Sequence, residues 1–215
     1  MCCSVAAIYH WWKGVPMKVL LVEGAPGVGA PAESELRAAG HVVVGCEPAE
    51  PSAPCRGLEI VGDCPLDQGD VDVAVVSRAG GDLTPSERGA LCAARHRIPV
   101  VIAGDPRHAV SFGPGTHMAG ADLVAACTEA AGSGTAHMSA LRRELLMAGV
   151  VKPEDVDGPN PPISFDVRRE PRRLRLTVRA PEGDPRLASI TKSAAEALRR
   201  YDQWASVIDV VTVTS

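Results

Sequence analysis

The chain has 215 residues, of which 46% are hydrophobic, 22% charged and 3% aromatic; this is a globular composition, with room for one large domain or an ordinary domain plus a small one. A formal net charge of −4 gives no field that would recruit nucleic acid or anionic lipid. With so few aromatics the core must be built from Val, Leu, Ile and Ala, which suits buried parallel strands.

The acidity is uneven: residues 1–150 carry the excess of Asp and Glu, and the remainder is close to balance. The seven cysteines come with no secretory h-region, so a cytoplasmic protein with reduced thiols and no membrane anchoring is expected. Residues 1–16 contain Cys2, Cys3, Trp11 and Trp12 but no long apolar run. The segment from Met17 reads like a natural start, so residues 1–16 are expected to be an N-terminal extension.

In chain order, Lys18–Glu23 is a short apolar run ending at a glycine cluster, the pattern of a buried strand. Gly24-Ala25-Pro26-Gly27-Val28-Gly29 is a loop. Pro31–Ala39 is a helix with Leu36 facing inward, stopped by Gly40, and His41–Gly45 is a second strand. This is a βαβ unit, hence parallel and right-handed. Glu47–Gly57 reads as irregular, Leu58–Val61 as a short strand, and Asp72–Val76 as a firmer strand ending at Ser77. Thr84-Pro85-Ser86-Glu87 is a capping box opening a helix to about Arg95. Ile98–Ala103 is the next strand. Asp105–Ala119 reads as loop, Asp122–Ala126 as a fifth strand, and Thr135–Ala148 as a helix with Met138, Leu141 and Leu145 on one side, ended by Gly149. Repeated strand–helix alternation predicts a doubly wound, five-stranded parallel sheet of flavodoxin type over residues 17–149.

Residues 150–162, rich in Pro and acidic residues, read as a linker. Beyond them Ile163–Val167 and Leu174–Val178 are strands, Asp184-Pro185 opens a helix, and Val207–Val213 is a last strand. Leu187, Ile190, Ala194, Ala197, Leu198 and Tyr201 form an amphipathic stripe. Residues 163–215 are therefore expected to be a small β-β-α-β unit whose helix covers its own sheet.

The segments Met17–Glu23, Leu36–Val43, Asp72–Val76 and Ile98–Ile102 occur in the order and spacing of the response-regulator receiver family, and residues 17–148 resemble it. The resemblance implies a metal-holding acidic pair after the first strand, but Glu23 is followed by Gly24 and Ala25. It implies a phosphoacceptor aspartate where Ser77 stands, a hydroxyl where Ala103 stands, and a lysine near Ala125-Ala126-Cys127, where there is none. Aspartyl phosphorylation needs the metal and the lysine to manage phosphate charge. What the resemblance implies is therefore a degenerate pseudo-receiver: a signalling or regulatory fold without phosphoryl chemistry.

The remaining motifs are weak. The glycine loop lies where a phosphate would meet a helix N-terminus, but its spacing is neither the dinucleotide fingerprint nor a P-loop. Cys46, Cys55 and Cys64 could hold a metal or serve as a redox sensor with a fourth ligand from elsewhere, but no C-x-x-C pair anchors them; small buried cysteines are the plainer reading. His41, His96, His108, His117 and His137 form no zinc-protease pattern, although His108 and His117 fall in a loop near the expected C-terminal edge of the sheet. Ser77 lacks a nucleophile elbow, and Asp105, followed by Pro106, suits a turn. Arg168, Arg169, Arg172, Arg173, Arg175 and Arg179 are interleaved with Asp166, Glu170, Glu182 and Asp184, and only Phe165 could stack on a base; a solvated hairpin face is expected.

No cofactor is implied and no catalytic residue is named. The leading expectation is a non-catalytic regulatory or interaction protein that acts through a protein partner or self-association. The alternative is a small-molecule or nucleotide-binding protein, or an enzyme, using a crevice of Glu23, Gly24, Gly27, Gly29, Ser77, Gly104 and Asp105 at the strand ends.

Overall fold

The computed structural model describes residues 16–46, 64–107, 112–113, 115–170 and 173–214. The expected extension, the loop at 47–57, the strand at 58–61, Cys55, His108 and Arg172 lie outside them. The chain divides into two compact units, the second consisting mainly of residues 132–215.

The first unit is a five-stranded, all-parallel sheet of flavodoxin type. Its strands are β1 (Lys18–Glu23), β2 (Val42–Gly45), β3 (Val73–Arg78), β4 (Val100–Gly104) and β5 (Thr116–Met118), in spatial order β2-β1-β3-β4-β5. Among the described residues, helices α1 (Ala30–Ala38), α2 (Arg88–Arg95) and α3 (Leu123–Gly132) pack on it. The side-chain period of two divides the strand residues between two cores. Val19, Leu21, Val73, Val75 and Val101 pack with Leu36 of α1 and with Leu123, Cys127 and Ala130 of α3. Leu20, Val22, Ala74, Val76, Val100 and Ile102 pack with Ala90 and Ala93 of α2 and with Leu66, Val71 and Phe112. Both faces are covered, which is why these strands read as continuous apolar runs.

Helix α1 ends as its sequence requires. Gly40 takes φ +86°, its N–H bonds Arg37 O, and His41 N–H bonds Leu36 O at 3.0 Å, a Schellman closure that needs a residue free of Cβ strain.

Two expectations for this unit are corrected. The fifth strand is Thr116–Met118, inside the stretch read as loop, and not Asp122–Ala126. The run after Asp122 is helix α3: the Asp122 carboxylate accepts the Ala125 N–H at 2.8 Å, an N-cap, and Ala and Leu are strong helix formers. The apolar residues there suit a strand as well as a helix, and the Asp122 cap decides for the helix.

The second unit contains α4 (Thr135–Met147), α5 (Pro153–Val156), β6 (Ser164–Glu170), β7 (Arg173–Ala180), α6 (Leu187–Tyr201) and β8 (Val207–Thr214). Its sheet has the order β6-β7-β8, with β6 antiparallel and β8 parallel to β7; this is the expected β-β-α-β unit. Ile190, Ala194, Ala197 and Leu198 of α6 bury against Leu174, Leu176 and Val178 of β7, together with Leu141 and Leu145 of α4.

Helix α4, read as the last helix of the first domain, thus contributes to the second core. The stretch read as a linker is packed too: Val151 and Val156 are buried in the same cluster, and Ile163 N–H bonds Asp155 O at 2.9 Å. The division between the units falls near Gly132, not at 150–162. The physical reason is that α4 has its own apolar face, which helical spacing shows, while the choice of sheet it covers is a tertiary matter.

Candidate functional site

In a doubly wound sheet the ligand crevice lies beyond the C-terminal strand ends, where the strand order reverses. Here that is the space past β1 and β3, bounded by Glu23, Gly24, Ser77, Arg78, Gly104 and Asp105. Glu23 pairs with Ser77, Ser77 with Ala103, and Arg78 with Gly104. The expected residues at these strand ends are therefore brought together.

Arg78 occupies the centre. It is the last residue of β3, and its guanidinium is 1% exposed. Its Nε donates to Glu87 Oε1, one of its terminal nitrogens donates to Asp105 O at 3.2 Å and to Arg107 O, and the other donates to Gly81 O at 3.2 Å. One side chain therefore ties together the loops after β3 and β4. A guanidinium that is paired and hydrogen-bonded at each of its three nitrogens can tolerate this burial, whereas an unpaired one could not.

Glu87, 3% exposed, holds the other end. Its second oxygen accepts Thr84 N–H at 2.6 Å, the Glu half of the expected capping box. The Thr84 hydroxyl, the other half of the box, also donates to Gly24 O at 2.8 Å. Residues 85–87 form a single 3-10 turn before α2. Gly24 N–H in turn donates to Ser77 O at 2.9 Å. A Cβ at Gly24 would lie 3.2 Å from Ser77 O and 3.4 Å from Glu87 Oε1, so the loop after β1 sits close against this network.

The glycine loop also meets a group of the chain itself. Gly29 caps α1, and its N–H donates to Glu23 Oε1 at 2.6 Å. A Cβ at Gly29 would lie 2.7 Å from that oxygen. The helix N-terminus, with its positive dipole end, is capped by the carboxylate that leads into the loop. Gly27 provides a left-handed residue at φ +81°.

Asp105 lies at the rim. Both its oxygens accept from the Arg107 guanidinium, and those hydrogen bonds hold its carboxyl well below the usual range, at about 2. Ser77 is buried, and its hydroxyl has no hydrogen-bond partner among the described residues. Gly104, at φ +108°, could carry no Cβ, which would fall 1.9 Å from Arg78 O.

The metal and phosphate groups that the receiver resemblance implies do not fit these residues. The single acid, Glu23, is committed to Gly29, the position of the phosphoacceptor carries a hydroxyl, and the buried cation beside it is already matched by Glu87. Among the described residues no group of three His, Cys, Asp or Glu side chains could hold a metal ion. Cys46 is buried and Cys64 packs against the same core.

The histidines are dispersed. His41 Nδ1 accepts Met17 N–H at 3.2 Å, and burial lowers its pKa against the opposing pull of Asp72. His117, in β5, is lowered by burial and raised in part by Glu129. His137 belongs to the second unit, where its Nε2 meets Asp202 Oδ2 at 2.8 Å and its ring packs edge-on against Tyr201. Burial alone would raise the Asp202 carboxyl, but hydrogen bonds from His137, Trp204 N–H and Ala205 N–H hold it below the usual range.

The expected arginine-rich hairpin is a two-signed sheet face. Arg168, Arg173 and Arg175 alternate with Asp166, Glu170 and Asp209, with ion pairs Arg168–Asp166 at 3.3 Å, Arg173–Asp209 at 3.3 Å and Arg175–Glu170 at 3.6 Å. Exposed pairs of this kind contribute little to stability, but they set an acid beside each of these three arginines, which weakens the attraction a phosphate backbone would meet.

Reading the sequence missed Arg78 and Asp202. The signal for Arg78 was available: a lone cation closing an apolar strand, nine residues before a capping-box glutamate. No helix among the described residues is long and apolar enough to cross a membrane. No known family model matches the chain, and comparison with curated proteins finds no match.

Proposed function

We propose that the chain is a non-catalytic regulatory or interaction protein of the cytoplasm, built on a degenerate receiver-like domain and working through a protein partner or through self-association. One observation carries this reading: the crevice where such a sheet would take a ligand is filled by the chain's own charged groups. Arg78 is spent on Glu87 and three loop carbonyls, and Glu23 is spent on the α1 N-terminus. A ligand phosphate would have to displace a carboxylate from Gly29 and then sit beside it, an unfavourable like-charge contact.

Thermal-shift titration with nucleotides and phosphorylated metabolites tests this. A ligand that binds the folded state stabilises it by about 2.7 kcal/mol at a hundred times its Kd, so saturable stabilisation would be visible. None is expected. A saturable shift that Arg78→Met abolishes would replace this reading with the small-molecule one. Incubation with a small phosphodonor should likewise leave no acid-labile phosphate.

A further inference from the structure

We infer that the outer edge of β8 is a self-pairing surface on which a second copy of this chain adds its own β8 in antiparallel fashion, joining two three-stranded sheets into one of six strands. This names the partner in the interaction reading above and rests on it. The two edges of the second sheet differ sharply. The β6 edge is protected: four of its seven residues, Asp166, Arg168, Arg169 and Glu170, are charged, and Ser133 forms a bridge to Arg168 along it. These are the devices by which sheets prevent unwanted pairing.

The β8 edge has none of them. Its eight residues read Val-Ile-Asp-Val-Val-Thr-Val-Thr, β-branched throughout except at Asp209, with no Lys, Pro or Gly. Among the described residues no strand pairs with its outer side. Val207, Val211 and Val213 are 37%, 44% and 40% exposed. The single charge is matched within the same chain by Arg173 at 3.3 Å. A long, exposed, β-branched edge whose backbone N–H and C=O groups face outward is a template for another strand.

The occupant follows from the asymmetry. Head-to-tail pairing of β8 with a neighbour's β6 would meet the charged, bridged edge and would grow without end. Pairing of β8 with β8 about a two-fold axis closes and leaves both β6 edges as they are. A register centred on Val210 sets Val207 against Val213 and Val211 against Asp209 of the second copy on one face, and Ile208 against Thr212 on the other. Val207 then meets Val213 at both ends of the seam, and neither aspartate faces the aspartate of the other copy, which avoids the like-charge pairing that cross-strand energetics penalise.

Light scattering on the full chain tests the proposal. A particle of twice the 22.4 kDa chain mass is expected. The variant carrying both Val207→Lys and Val213→Lys, which this register sets opposite each other as like charges, should show half that mass with an unchanged circular dichroism spectrum. Hydrogen exchange of those β8 amides that point away from β7, slow in the parent, should become fast in the variant, while those bonded to β7 stay slow. Should the double variant lose its fold, Val213→Lys alone serves, since that side chain is already 40% exposed and meets Val207 of the second copy. A single-chain mass for the parent at every concentration overturns the proposal, as does a mass that climbs past two copies, a variant that keeps the doubled mass, or a different polypeptide found on the edge of an otherwise single chain. Any of these leaves the regulatory reading standing, because that reading falls only on saturable ligand binding in the crevice, which is measured separately.

Discussion

Glu87→Gln isolates the charge that holds the crevice shut. The substitution keeps the shape and one acceptor but removes the negative partner of a guanidinium that is 1% exposed. Breaking a buried ion pair from one side costs roughly 3–5 kcal/mol. The retained neutral hydrogen bond offsets about 1 kcal/mol of that, so a net loss of about 2–4 kcal/mol is expected, a large share of the ~5–15 kcal/mol that a domain has. With a urea m-value of about 2 kcal/mol/M, the midpoint should fall by about 1–2 M. Because the two compact units need not melt together, the measurement is urea-dependent hydrogen exchange read on peptides covering β3 and β4. Replacing both partners, Arg78→Met with Glu87→Met, should cost less than Glu87→Gln, since no unpaired charge is then left inside. A loss under about 1 kcal/mol for Glu87→Gln, against that 3–5 kcal/mol scale, would mean that water reaches the guanidinium. A double variant worse than the single would mean that the loop carbonyls, and not the charge pair, set the energy. Either result refutes the filled-crevice argument.

Three further outcomes follow from other parts of the molecule. Gly134→Ala would put a Cβ 1.9 Å from Val167 O; overpacking of about 1–3 kcal/mol or more should appear in exchange from β6, β7 and α6 and spare β1–β4, and an equal loss in both sets would argue against the division of the chain near Gly132. Asp202, whose folded-state pKa is depressed, adds stability that is fully present above its unfolded value of about 4 and is lost as pH falls through its lower folded value; Asp202→Asn should flatten the acid limb of the stability curve, and parallel curves for parent and variant would contradict the His137–Asp202 assignment. Burial pushes the Cys127 thiol up to about 12, so alkylation at pH 8 followed by peptide mass spectrometry should leave Cys127 unmodified in the native protein and modified in urea; native labelling at a rate typical of an exposed thiol would mean that α3 does not pack as described.

The sequence showed those features that local chemistry decides. The apolar runs at Lys18–Glu23, Asp72–Val76 and Ile98–Ala103 read as buried strands, Gly40 as the end of a helix, and the α6 stripe required a sheet. What it could not show depends on contacts distant in the chain. Whether α4 covers one sheet or another is decided by Leu174 and Leu176, far along the chain. The Thr84–Glu87 box was legible as a cap, but its second role, holding Arg78, requires knowing that β3 ends beside the turn. The run after Asp122 carried conflicting signals, apolar enough for a strand and capped for a helix, and only the cap distinguished them. The glycine loop stands where a phosphate cradle would, and its occupant was not legible because Glu23 is six residues from Gly29 and reads as the end of a strand.

That last point can be tested by uncovering the helix terminus. Glu23→Ala removes the carboxylate from the Gly29 N–H, to which it is bonded at 2.6 Å, and should cost about 0.5–2 kcal/mol, as the loss of a helix cap does. The exposed N-terminus of α1 should then attract a free anion, an interaction worth about 0.3–1 kcal/mol at a surface site. Sulfate strengthens apolar burial in any protein, so the informative quantity is the difference between variant and parent as sulfate replaces chloride at constant ionic strength. The variant should recover part of its lost thermal stability and the parent should gain only the general increment. If the two respond in parallel, the carboxylate was not occupying an anion site, and the resemblance of the loop to a phosphate cradle had no physical basis. If they diverge, the Glu23 carboxylate is one of the internal groups that fill the crevice, and the same fold with a neutral residue at position 23 would present a free helix N-terminus there.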